Sequence, residues 1–143
     1  MKRDVYRLLE EWKQSPRRKP LILNGLRQVG KTYALQHFGA AAYTNTAYLN
    51  FEKDQRLGQY FDETLDPNQL VKLLSIHTEV QIDPHATLLI FDEVQECPKA
   101  LNSLKYFCEE APDIHVAAAG SLLGVKTNKD KGFPVGKVNF LHL

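Results

Sequence analysis

The sequence predicts an α/β fold, a parallel sheet covered by helices on both faces. Three observations carry that expectation. Apolar runs of about four to six residues alternate with helical runs of about ten, the rhythm of strand–helix–strand crossovers. The first apolar run closes on a glycine loop that leads into a helix, and the third ends in two adjacent carboxylates. With 143 residues, 43% of them hydrophobic, the chain is long enough for one domain with its own core.

Residues 2–14 place Val5, Leu8, Leu9 and Trp12 at i, i+3, i+4 and i+7 among charged residues, an amphipathic helix that Ser15 and Pro16 end. Pro20-Leu21-Ile22-Leu23-Asn24 is a short apolar run closed by Gly25, a buried strand feeding a turn. A helix is expected from about Gly30, carrying Tyr33, Ala34, Leu35 and Phe38, with Gly39 as its stop. Residues 46–51 have the aromatic and β-branched character of a second strand, and the polar segment after them reads as irregular through Asp62. Asp66 followed by Pro67 caps and opens a helix that buries Leu70, Val71, Leu73 and Leu74. Residues 86–91 form the third strand. Pro98 opens the next helix, with Leu101, Leu104 and Phe107 or Cys108 as its apolar stripe, and Pro112 stops it. Residues 114–119 and 138–143 read as strands four and five, with a polar loop at 126–132 between them.

The totals exclude several functions. A net charge of +1 and a pI near 7.8 give no field that would draw the chain to nucleic acid or anionic lipid. The basic cluster Arg17-Arg18-Lys19 reads as a solvated connector before the first strand. The N-terminus runs straight into a charged amphipathic stretch, unlike a signal peptide, and no apolar run approaches the roughly 20 residues of a membrane span, so a cytoplasmic location is expected. Cys97 and Cys108 lack a metal-binding spacing and are expected to be reduced and structural.

Gly25, Gly30, Lys31 and Thr32 meet the pattern G-x-x-x-x-G-K-[ST] between an apolar strand and a helix, the context that the motif demands. Glycines let the backbone curl so that successive N–H groups point at phosphate oxygens, and the helix behind adds its positive end. Lys31 would reach the β- and γ-phosphates and the Thr32 hydroxyl would ligate Mg²⁺. The nucleotide-binding set is then Gly25, Leu26, Arg27, Gln28, Val29, Gly30, Lys31, Thr32 and Tyr33.

Leu88-Leu89-Ile90-Phe91-Asp92-Glu93 has the form of the acidic strand that accompanies such a loop. Strand ends of a parallel sheet share the carboxyl edge, so Asp92 would hold Mg²⁺ with Thr32, and Glu93 would polarise the attacking water. A second carboxylate favours hydrolysis over transfer to a small acceptor. Asn128-Lys129-Asp130 lacks the spacer of a guanine-reading motif, so ATP is the expected nucleotide. Ser121, after the fourth strand, has two readings: a contact to the γ-phosphate or its water, or a helix cap before Leu122 and Leu123. The expected catalytic set is Lys31, Glu93 and Ser121.

Gly-Leu-Arg-Gln-Val-Gly-Lys-Thr at 25–32, Ile-Phe-Asp-Glu-Val-Gln-Glu-Cys-Pro at 90–98, Gly-Ser-Leu-Leu-Gly at 120–124 and Phe-Pro-Val-Gly-Lys at 133–137 resemble the prokaryotic AAA+-like P-loop ATPases with a G-x-R-Q-V-G-K-T loop. The resemblance covers nearly the whole chain and implies a sheet order 5-1-4-3-2, ATP between the loop and an N-terminal segment, and Ser121 as a sensor of γ-phosphate. Members are longer, with a helical lid and a further C-terminal domain, so residues 1–143 are expected to be the ATPase core alone. The family's arginine finger has no counterpart: no arginine follows Arg56, and Gly136-Lys137 stands where Gly-Arg is usual. If the missing parts are essential, the chain is a nucleotide-binding module or switch with negligible hydrolysis.

Overall fold

A computed structural model of the chain describes residues 2–25, 30–121 and 136–142. Its elements in order are α1 (Lys2–Gln14), β1 (Leu21–Asn24), α2 (Lys31–Ala42), β2 (Asn45–Asn50), α3 (Leu57–Glu63), α4 (Pro67–Thr78), β3 (Thr87–Asp92), α5 (Pro98–Glu110), β4 (His115–Gly120) and β5 (Asn139–His142). The strands form one parallel sheet ordered β2-β3-β4-β1-β5, the order that the resemblance implied, read from its other edge. This is the P-loop NTPase architecture.

The period-two alternation of strand side chains divides the core into two layers. Ile22, Ala47, Leu49, Leu89, Phe91, Val116 and Ala118 face α3, α4 and α5; Leu21, Leu23, Leu88, Ile90, Ala117 and Ala119 face α1 and α2. β3 and β4 are buried along their whole length, as central strands covered on both faces must be. Under the carboxyl edge, Phe51, Phe61, Phe91 and Phe107 pack edge to face with centroids 5.5–6.2 Å apart. Such contacts add about 0.5–1.5 kcal/mol each beyond burial and brace the strand that carries Asp92.

Two elements differ from the sequence-based expectation. Helix α3 occupies part of the segment expected to be irregular, and it buries only Leu57 and Phe61, one turn apart. Helix α2 runs through Gly39 to Ala42. Gly39 is there for close packing: a Cβ on it would lie 2.2 Å from Thr46 Cγ2 and 3.3 Å from Leu88 Cδ2, so α2 sits hard against β2. The basic connector is also more engaged than a solvated one. Arg18 Nη2 donates to the Pro112 carbonyl at 2.9 Å and Lys19 Nζ to the Gly136 carbonyl at 2.9 Å, tying the connector to the segments before β4 and β5.

Cys97 and Cys108 are free thiols, and burial pushes Cys97 up, away from the reactive thiolate. No helix among the described residues is long and apolar enough to cross a membrane.

Candidate functional site

β1, β2, β3 and β4 end at Asn24, Asn50, Asp92 and Gly120 on the carboxyl edge, with Asn50 opposite Asp92 and Asn24 opposite Gly120 in register. Gly25 follows Asn24. Gly30, at φ 85°, precedes α2, which starts with no side-chain cap and no acidic residue in its first turn. The helix therefore turns uncapped N–H groups toward this edge.

Lys31 is the first residue of α2 and only 6% exposed. Its Nζ donates to the Gly25 carbonyl at 2.7 Å, folding the ammonium back across the loop. Thr32 Oγ1 donates to Asp92 Oδ2 at 2.7 Å, which joins the two motifs across 60 residues of chain. Asp92 is 2% exposed, a cost that a carboxylate bears only when its oxygens are engaged. Oδ2 also accepts from the Tyr48 hydroxyl of β2, and Oδ1 accepts from the Glu93 amide at 2.9 Å. Asn50 Nδ2 donates to Tyr48 Oη at 3.2 Å, orienting the phenol. Burial, and then the hydrogen bond to Asp92, pushes Tyr48 up to about 12, so it stays a proton donor at neutral pH.

Glu93 sits at φ 54°, left-handed backbone that a glutamate adopts at some cost, between β3 and a 3-10 turn over Val94–Glu96. Its Oε1 accepts from Gln95 Nε2 at 2.8 Å.

The residues expected from the sequence are thus distributed unevenly. Gly25, Gly30, Lys31, Thr32, Asp92 and Glu93 converge on one edge. Leu26, Arg27, Gln28 and Val29 lie outside the described residues, as do Leu122 and Leu123, which would decide between the two readings of Ser121; Ser121 itself directly follows β4 and is half-buried. Tyr33 is 59% exposed and stacks on His37 with centroids 5.7 Å apart. Lys137 lies before β5 at the opposite edge, 3.2 Å from Glu109, about 13 Å of strand away from the loop. Sequence reasoning missed Tyr48 and Asn50 as partners of the acid. Their position two residues apart on a strand could mark a shared face, but nothing in their spacing names β3 as the neighbour.

The oxygen set fits a hard cation. Mg²⁺ holds oxygens at about 2.0–2.1 Å, which puts adjacent ligands about 3 Å apart, close to the spacing of Thr32 Oγ1 and Asp92 Oδ2. Among the described residues no group of three or more His, Cys, Asp or Glu could hold a metal, so a cation here would take its remaining ligands from phosphate and water.

A family model described as an AAA domain matches residues 17–143. Among solved structures, the Walker-type ATPase of Pyrococcus abyssi is similar with a TM-score of 0.60 at 16% identity, over 99% of this chain and 53% of that one. PCH-2 of C. elegans aligns at a TM-score of 0.46 and 16% identity, over 97% of this chain and 40% of that one. The chain therefore spans about half the length of the solved P. abyssi protein, and at such identity the likeness is one of fold. No curated protein matches the sequence.

Proposed function

The chain belongs to the AAA domain family, and from that membership we propose that it binds ATP with Mg²⁺ at the carboxyl edge of its sheet and serves as an ATP-hydrolysing domain. The observation that carries this reading is the 2.7 Å contact between Thr32 Oγ1 and Asp92 Oδ2, which brings the phosphate-loop hydroxyl and the buried carboxylate to one point. The uncapped start of α2 receives phosphate oxygens on its N–H groups. Lys31 exchanges the Gly25 carbonyl for phosphate and keeps its buried charge paired. Mg²⁺, when bound, neutralises charge on the β- and γ-phosphates. Thr32 and Asp92 would hold it, with the Tyr48 hydroxyl donating to Asp92 Oδ2 to fix the carboxylate. Glu93 takes a proton from the attacking water. Ser121 stands next to this edge as the γ-phosphate contact.

A binding module with negligible hydrolysis is the second reading, favoured by Lys137 being held by Glu109 at the edge of the sheet away from the phosphate loop. Thermal unfolding with and without Mg²⁺·ATP tests the shared claim. Ligand at 100-fold excess over Kd contributes about 2.7 kcal/mol, a rise of roughly 5–10 °C for a domain of this size. An unmoved midpoint removes both readings. Phosphate release then separates them: Glu93→Gln keeps the thermal shift and loses turnover if the chain is an ATPase, whereas turnover indifferent to Glu93 leaves only the binding module.

A further inference from the structure

Gln95 contacts the site and has no role in the reading above. Its Nε2 donates to Glu93 Oε1 at 2.8 Å from within the 3-10 turn Val94–Glu96. A carboxylate oxygen accepts, so the amide turns its NH₂ toward Glu93 and its oxygen the other way. That oxygen, Oε1, is buried and has no hydrogen-bond partner among the described residues. It rests on the end of β4, where a Cβ built on Gly120 would lie 2.3 Å from Oε1 and 3.4 Å from both Val94 Cγ1 and the Val94 amide nitrogen. Only glycine lets the side chain lie there.

The location matters. Gly120 pairs with Asn24, which leads into the phosphate loop, and the residue before it, Ala119, pairs with Asp92. Gln95 Oε1 is therefore at the end of the strand between the loop and the acid, beside Glu93. A buried acceptor without a donor is costly, and a donor arriving with the substrate would recover that cost.

We propose that Gln95 is a further catalytic residue, clamping Glu93 through its N–H and accepting from the attacking water through Oε1. This rests on Glu93 as the water-activating group. The water then has two acceptors. One of its protons passes to Glu93 and the other stays in the hydrogen bond to Gln95 Oε1, which aims the oxygen lone pair at the γ-phosphorus. The new P–O bond forms as the bond to the bridging oxygen breaks, and the electron pair leaves with ADP. Glu93 later releases its proton to solvent.

Three variants separate the parts. Gln95→Glu keeps the shape and loses the donor, Gln95→Met loses both polar atoms, and Gly120→Ala keeps the amide but displaces it. Each is expected to lower kcat at least tenfold with KM for ATP within twofold of the parent. Each also leaves the thermal shift from Mg²⁺·ATP unchanged while reducing the additional shift that aluminium fluoride gives with Mg²⁺·ADP, a readout that needs no turnover. Parental kcat and a parental aluminium fluoride increment in Gln95→Met and Gly120→Ala, beside an impaired Glu93→Gln, overturn this inference alone. A loss of ATP-induced shift in step with the stability of the nucleotide-free variants also overturns it, because the role is then structural. Glu93→Gln with parental kcat takes down the reading beneath it as well.

Discussion

The two edges of the sheet carry comparable numbers of buried polar side chains and use them in opposite ways. At the amino edge, Tyr43 Oη meets His115 Nδ1 at 2.6 Å, His115 Nε2 meets His85 Nδ1 at 3.0 Å, and His85 Nε2 meets Asp113 Oδ1 at 3.3 Å. One direction satisfies every link: the phenol donates to a neutral imidazole, which donates to the next, which donates to the carboxylate. Trp12 packs edge-on against His115 with centroids 5.9 Å apart. Tyr43 and His115 are buried while His85 and Asp113 reach solvent, so removing His115 strands the Tyr43 hydroxyl. At the carboxyl edge, Asp92 holds Thr32 and Tyr48 on one oxygen, and Lys31 holds a backbone carbonyl. Under the proposed function, Thr32 Oγ1 and the Gly25 carbonyl give way to metal and phosphate, while Tyr48 stays on the carboxylate. A closed chain builds stability, and a chain whose members accept substitutes builds a site.

The largest effect expected from this contrast is in acid. His115 is 2% exposed; burial, with Arg18, His85 and Lys13 adding to it, pushes its pKa down to about 3 from 6.5. Between those values the unfolded chain binds a proton that the folded chain refuses, so stability falls as pH falls, by about 1.4 kcal/mol per unit. Asp54 is held at about 2, first by the Arg56 hydrogen bond and then by His77, and its contribution is lost only below the ordinary carboxylate range. Urea midpoints from pH 7 to 4 should therefore decline mainly through His115. A flat profile contradicts the closed chain.

His115→Ala is expected to cost about 3 kcal/mol at pH 7, from a cavity and the orphaned Tyr43 hydroxyl, and to flatten that pH profile. ATP affinity should not change, since the residue sits at the edge away from the loop. Coupled losses of stability and affinity would break the division between the edges. Tyr48→Phe should cost about 1–2 kcal/mol in urea unfolding, because it removes one hydrogen bond to a charged acceptor, while the Mg²⁺ concentration needed for half-maximal ATP binding rises. An unchanged Mg²⁺ requirement would reduce Tyr48 to packing.

The same contrast governs what the sequence revealed. The strands were legible because buried central strands read as unbroken apolar runs, and the candidate residues Lys31, Thr32, Asp92 and Glu93, which the fold brings to one edge, because phosphate and metal chemistry would fix their types and spacing. Sheet order was not in the alternation and came only with the resemblance. Helix α3 escaped because two apolar residues in a polar segment give no periodic signal. Gly39 carried a stop signal locally, yet the close approach of Thr46 and Leu88 explains it, and that is a tertiary fact. Tyr48 and Gln95 were hidden for a like reason: their meaning lies in Asp92 on a neighbouring strand and in Gly120, 25 positions downstream of Gln95.

The most direct test of the exchangeable edge is a calorimetric titration of ATP in Mg²⁺ into the parent, Lys31→Ala and His85→Ala. Binding to the parent and to His85→Ala with equal affinity, and loss of at least 100-fold in Lys31→Ala, is the expected result. Parental affinity in Lys31→Ala would contradict the assignment of the site.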